Sequence, residues 1–312
     1  MHLVTVDEVA AQWPAASYAA WSETCDTLHA HMQVVGKIAA VLAPAEPELQ
    51  HAALQLTAGG LETRLLPTRN DSGAIVVGLD LQQHEARVEH SDGSARHVPL
   101  TPDRSVGEVA RALLAYAQEL AGDFEINVVP KEVPWSVPLD EDEEHRRYDV
   151  EAVAAYFGAA TQAALVLGAF RAPYRGRSTP VNAWWGSFDL AVSLFSGQPA
   201  EPPSGDFITR NAMDAREVAV GWWPGDARHE QAAFYAYAQP AVDGFSDLEL
   251  PLGGWNEELG EYLLEWDDVR RSPDPHGAAL QFARQVFAHA CAVCGWDPAL
   301  AASIEGTPAP IG

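Results

Sequence analysis

Thr179-Pro180-Val181-Asn182-Ala183-Trp184-Trp185-Gly186-Ser187-Phe188-Asp189-Leu190-Ala191-Val192-Ser193-Leu194-Phe195-Ser196-Gly197 is the stretch whose pattern decides the fold. From Trp185 it alternates, with Trp185, Ser187, Asp189 and Ala191 on one side and Gly186, Phe188, Leu190 and Val192 on the other. A period of two predicts a strand with one apolar and one mixed face. The mixed face carries an indole, a hydroxyl and a carboxylate in register, which suits either an edge strand meeting water or the wall of a site. Two later segments share the character: Arg216–Gly225, with Glu217, Trp222 and Trp223, and Phe234–Pro240, with Tyr235 and Tyr237. Together they predict a sheet with aromatic and acidic side chains interleaved.

Working outward, the chain before this sheet begins with a helix over Pro14–Leu42, where Trp21, Cys25, Leu28, Met32 and Val35 recur at helical spacing. His29, Gln33 and Lys37 follow at i, i+4 and i+8, a polar stripe beside the apolar one. A solvated face is its ordinary reading. From His51 short alternating runs predict strands over His51–Ala58, Leu61–Pro67, Ala74–Gln82, Glu85–His90 and Arg96–Leu100, separated by glycine- and asparagine-rich turns. With no helix between them they form an antiparallel meander. A helix over Ser105–Leu120 opens on a capping box, Ser105 with Glu108, and Phe124–Val129 is read as a further strand.

Pro130, Pro134 and Pro138, followed by Asp140–Glu144, mark a linker. The expected organisation is an N-terminal α+β half over 1–135, a linker over 136–148 and a C-terminal α+β half over 149–312 that carries the aromatic strands. That second half reads as a helix over Asp149–Ala172, the aromatic strands, Glu261–Trp266, and a helix over Gly277–Cys294. Helix, antiparallel strands, helix thus occurs twice, which implies an α+β fold with an internal duplication.

Composition narrows the function. The 312 residues carry 44 acidic against 19 basic side chains, a net charge of −25, which repels phosphate backbones and anionic membranes. Neither nucleic acid nor a membrane is therefore an expected partner, and the pattern sets no oligomeric state. No apolar run approaches ~18 residues, the length of a span. Met1–Glu8 lacks the basic start and apolar core of a secretory signal, so a cytoplasmic protein is expected. Cys291 and Cys294 spell C-x-x-C within a helical pattern, where buried small residues are the simpler reading than a metal or redox pair.

Beyond these patterns, a set of motifs running over nearly the whole chain matches a known family. The matching residues are Thr27-Leu28-His29, Gln33, Gly36-Lys37, Tyr148-Asp149, Phe170-Arg171, Gly176, Pro180-Val181 and Trp185 through Ala191. Phe195-Ser196-Gly197, Glu217, Trp223-Pro224-Gly225, Phe234–Tyr237, Gly244-Phe245, Leu259-Gly260-Glu261 and Asp274-Pro275 complete the set. Through these residues the chain resembles a bacterial domain-of-unknown-function family, number 5996, and the resemblance implies no particular activity. It departs where the pattern carries histidine and this chain has Asn182 and Arg216. A metal held through those histidines would lose two nitrogens here, and a guanidinium cannot replace one, so no metal site is expected.

The residues that remain define a small-molecule site. Asp189, Glu217 and His29 are the candidate acid–base groups. Trp185, Trp223, Tyr235 and Tyr237 are candidate walls, and Asn182, Arg216, Lys37, Gln33 and Arg171 candidate binding groups. No G-x-S-x-G, Walker A, H-E-x-x-H or G-x-G-x-x-G occurs. Without a redox cofactor, the expected chemistry is that of a lyase, isomerase, cyclase or hydrolase. The alternatives are a non-catalytic small-molecule-binding protein and a structural one whose aromatics are core. Asp189 discriminates: a buried, unpaired carboxylate beside a cavity favours chemistry, whereas one facing solvent or tied to Arg171 does not.

Overall fold

The computed structural model describes residues 12–205 and 207–305. It contains two antiparallel sheets, each flanked by helices, in an α+β fold of two similar halves, the arrangement an internal duplication leaves. Contacts divide the chain into two compact units. The amino-terminal unit is Tyr18–Phe157 with Asn182–Asp189; the carboxy-terminal unit is Gly158–Val181 and the chain from Leu190, joined by the segment ending at Ser17.

In the amino-terminal unit, α1 (Tyr18–Leu42) is buried on nearly all sides from Thr24 to Ala39. His29, Gln33 and Lys37 are buried with it, 9, 0 and 6% exposed, which corrects the reading of a solvated stripe. A 3-10 turn, Pro47–Ala52, replaces the start of the expected strand at His51, because Glu48 and Leu49 take left-handed backbone (φ 50° and 52°). The sheet follows as β1 (Gln55–Leu56), β2 (Gly60–Glu62), β3 (Leu66–Pro67), β4 (Ala74–Asp80), β5 (Glu85–His90) and β6 (Ala95–Pro99). It runs in the order β1-β2-β4-β5-β6, with β3 on β4. Helix α2 (Val106–Ala121) starts on the expected capping box, Glu108 N to Ser105 Oγ at 3.2 Å and Ser105 N to Glu108 Oε2 at 3.0 Å. With α1 it covers the sheet. Phe124–Val129 forms no strand; the chain from there to Tyr148 is irregular, and Leu139, Asp142 and Tyr148 are buried within it. Helix α3 (Val150–Arg171) gives Val150–Phe157 to this unit and its remainder to the other.

Helix α3 also corrects the expectation that no stretch approaches a membrane span. By length and composition it qualifies, with a mean hydropathy of 1.5, and half of that window is buried inside the protein. A helix apolar all round is what a core position requires.

The stretch that decides the fold is not one strand. β7 (Asn182–Trp184) ends in a turn over Trp185–Phe188, and β8 (Asp189–Pro199) begins beyond it. Phe188 N bonds to Trp184 O at 2.8 Å, and Phe188 takes φ 59°. Alternation in the sequence is a necessary sign of a strand, and here a turn interrupts it at its most polar point. β7 is tied to the amino-terminal unit by paired Leu54–Ala183 backbone bonds of 3.0 and 2.8 Å.

In the carboxy-terminal unit a short helix, α4 (Phe207–Ala212), precedes β9 (Ala215–Trp223) and β10 (Ala233–Gln239). After β11 (Gly254–Asn256) and β12 (Glu261–Glu265) come α5 (Trp266–Arg271), α6 (Pro275–Val293) and α7 (Pro298–Ser303). The strands run β11-β12-β10-β9-β8. Their register puts Leu190, Val192 and Leu194 beside Trp222, Val220 and Val218, and these beside Phe234, Ala236 and Ala238. All are buried, against a helix α6 that buries Phe282, Val286, Phe287 and Ala290. Each large side chain so enclosed contributes ~1.5–3 kcal/mol. The opposite face carries Glu217, Ala219, Gly221, Trp223, Tyr235 and Tyr237.

Candidate functional site

The candidate site is built on α1. Residues four apart on a helix stand one above the other, so His29, Gln33 and Lys37 form a column, and Gly36 lies beside Lys37 on the same side. The turn Trp185–Phe188 packs along that column. His29 donates its Nε2–H to Trp185 O at 2.9 Å, which fixes the tautomer because a carbonyl only accepts. The Trp185 indole lies directly over Gly36, where any Cβ would fall inside the ring. Trp185 Nε1 donates to Ala52 O at 3.0 Å, and Lys37 Nζ sits 5.0 Å from its centroid.

Lys37 Nζ also donates to Glu132 Oε2 at 3.1 Å and to Val129 O at 3.4 Å; the paired side chains are 7 and 11% exposed. At the other end of the column a run of rings continues from Trp21 to Tyr156, Phe188, His29, Trp135 and His145, each centroid 4.6–5.3 Å from the next. Phe188 enters this run from its left-handed backbone, a conformation that costs ~1–3 kcal/mol for a side chain of its size.

Gln33 sits in the middle of the column. It is completely buried, and neither Oε1 nor Nε2 finds a hydrogen-bond partner in the protein. Asn182, three residues before Trp185, is also completely buried; its Nδ2 donates to Gln50 Oε1 at 2.7 Å while Oδ1 is unpartnered. Gln50 follows directly on the left-handed pair Glu48–Leu49. Buried polar groups in proteins are overwhelmingly paired, and leaving one unpaired costs ~1–3 kcal/mol.

Beside the ring run, Asp142 Oδ2 meets His145 Nδ1 at 2.7 Å. That hydrogen bond raises His145 above its usual range; burial would raise Asp142, but the bonds from His145 hold it below. His31, on the same helix as the column, is pushed down to about 4, burial outweighing the pull of Asp142.

Six of the expected site residues therefore belong to the amino-terminal unit: His29, Gln33, Lys37, Asn182, Trp185 and Asp189. Asp189 is buried and accepts from Ser187 Oγ. The other six belong to the carboxy-terminal unit. There Glu217 is buried at 4%, Arg216 is exposed, Trp223 stacks on His229 at 5.4 Å, and Arg171 Nε donates to Ser178 Oγ at 3.0 Å. Tyr235 and Tyr237 lie parallel, centroids 6.3 Å apart, and Tyr235 covers Gly221. Tyr237 lines an open hollow of about 360 Å³ with Met213, Leu259 and Glu261, and Arg216 lines a small one with Gln239, Cys294 and Trp296. The larger hollow is lined by residues of the carboxy-terminal unit and by none of the α1 column. We place the site by the orphaned amide, since an open hollow alone specifies no ligand.

Sequence reasoning passed over Trp135, Glu132, Gln50, Tyr156 and Phe188. Trp135 and Glu132 lie in the proline-rich stretch, where an isolated tryptophan was the available signal. Phe188 falls on the apolar side of the alternation and reaches His29 only because the turn reverses it. Among the described residues, no group of three or more His, Cys, Asp or Glu side chains is placed to hold a metal ion.

Fold and site define an α+β protein of two similar halves with buried aromatic clusters and buried charged and amide groups. The chain matches the model of a family of unknown function (DUF5996) over residues 13–303 and belongs to that bacterial family. No curated protein and no solved structure matches it.

Proposed function

We propose that this protein binds a small molecule, without catalysis, at the α1 column. The observation that carries the reading is Gln33, fully buried with both ends of its amide unpartnered. A glutamine retained there at a cost to stability is explained by a ligand that completes its hydrogen bonds. The ring run and the Trp185 indole supply the apolar walls such a site needs. Asp189 and His29, the expected acid and base, are both engaged with protein, by Ser187 and by Trp185 O. Binding therefore has more support than acid–base chemistry.

The test is Gln33→Met, which keeps the volume and removes the amide. A purely structural glutamine loses stability on this change. A binding glutamine gains ~1–3 kcal/mol, because an uncompensated polar group leaves the core, and the melting temperature rises by ~2–4 °C per kcal/mol. Thermal unfolding of wild type and variant decides between them, and a lower melting temperature for the variant overturns the binding role.

A further inference from the structure

We propose that the ligand of the α1 column presents an uncharged planar group with an N–H donor beside a C=O acceptor, as in a primary amide, a lactam or a ureide. Resting on the binding role assigned to Gln33, the inference follows from charge and hydrogen-bond valence. A glutamine amide offers two donor hydrogens and an accepting oxygen, and at Gln33 none of these is taken by the protein. Asn182 adds a second unpartnered accepting oxygen on the segment that packs along the column. The open valences thus include both donors and acceptors, and they carry no charge.

The ions beside Gln33 are already matched to each other. Lys37, one turn along, is held by Glu132 at 3.1 Å and by Val129 O, with both charged side chains nearly buried. His29, one turn the other way, gives its Nε2–H to Trp185 O. An anion at Gln33 could use only the two Nε2 hydrogens and would leave Gln33 Oε1 and Asn182 Oδ1 unpaired. A cation could use only those oxygens and would leave the Nε2 hydrogens unpaired. With Lys37 and Glu132 already paired to each other, either ion would also lie uncompensated in a low-dielectric interior. A neutral amide-like edge requires neither: its carbonyl takes a Gln33 Nε2 hydrogen and its N–H meets Gln33 Oε1. The two-point match is the reason to expect a planar group with donor and acceptor side by side.

Benzamide, benzoate and benzamidinium share one planar skeleton and differ in charge, so they separate the possibilities. Their dissociation constants are measured by ligand-observed NMR on the full chain, wild type and Gln33→Met. Benzamide is expected to bind wild type about tenfold or more tighter than either ion, to lose at least that factor in Gln33→Met, and to be insensitive to salt. Gln33→Glu, a second variant, is expected to turn the preference toward benzamidinium. If an ionic probe binds wild type best and its binding depends on Gln33, the neutral class is overturned while the binding role stands. If no probe's binding depends on Gln33, both are overturned.

Discussion

Both units leave some buried polar atoms unpartnered, Ser272 Oγ and Gln285 Oε1 in the carboxy-terminal unit among them, but they differ in the polar groups set among their large aromatics. In the carboxy-terminal unit the polar tips of large aromatics are tied to backbone: Tyr174 to Phe195 O at 2.6 Å, Tyr262 to Phe245 O at 2.6 Å, and Trp266 Nε1 to Pro14 O at 2.7 Å. Such residues fill a core and leave no hydrogen-bonding capacity over. In the amino-terminal unit the Trp185 indole is tied in the same way, to Ala52 O, but the Gln33 amide and the Asn182 side-chain carbonyl are not. Aromatic richness, shared by both units, is therefore a poor guide to function. The guide is the unmatched polar atom among the aromatics.

The ion pairs allow the largest test of this contrast. Lys37–Glu132 is buried, whereas Arg228–Asp226 in the carboxy-terminal unit, at 2.6 Å, has an arginine 73% exposed. Glu132→Leu leaves Lys37 unneutralised in the interior and is expected to cost ~3–5 kcal/mol, most of it recovered in the double variant Lys37→Met/Glu132→Leu. Asp226→Ala is expected to cost at most ~1 kcal/mol. Chemical denaturation of the four proteins checks this; equal costs would erase the distinction between the units.

A second, slightly smaller effect is the pH dependence of the amino-terminal unit. The unfolded His31 titrates near 6.5 and the folded one at about 4. Between those values the unfolded chain binds the extra proton, so stability is full above pH 6.5 and falls as pH drops toward 4, by roughly 3 kcal/mol in all. His145 has the opposite sign: its folded pKa is raised, so its contribution is complete below 6.5 and lost as pH rises through the raised value. Asp142, lowered, contributes above its ordinary 3.8 and loses that as pH falls further. The window from 6.5 to 4 thus belongs to His31, and denaturation midpoints for His31→Phe should be flat there relative to wild type. A wild-type slope retained in the variant would assign the acid response elsewhere.

Much of this was legible in the sequence, and its failures share one cause. The meander, the capping box at Ser105 and the helices follow from periodicity and local hydrogen bonding, which are properties of short windows. The column His29–Gln33–Lys37 was legible as spacing, but its burial was not: that depends on the irregular chain after Phe124, which carries Glu132 and Trp135 and has no periodicity to read. Trp185 through Phe188 misled for a related reason. Four residues of turn have the same alternation as four residues of strand, and only the left-handed Phe188 separates them.

The smallest effect compares two glycines that each lie under an aromatic ring. At Gly36 an added Cβ would strike Cγ and Cδ1 of Trp185, the root of an indole whose adjacent Nε1 is pinned by Ala52 O. At Gly221 it would strike Cζ and the hydroxyl of Tyr235, the far end of a half-buried side chain rather than its root. Gly36→Ala is accordingly expected to cost ~1–3 kcal/mol and to shift the Trp185 environment, seen as a change in tryptophan fluorescence, while Gly221→Ala costs under ~1 kcal/mol. Because Trp185 O also accepts from His29, displacing the indole disturbs the column itself, so Gly36→Ala should weaken benzamide binding as well as stability. Gly221→Ala should leave binding unchanged. A Gly221 substitution that weakened binding as much as Gly36→Ala would mean that the two aromatic regions serve the ligand together, and that the contrast between matched and unmatched polar atoms had divided them wrongly.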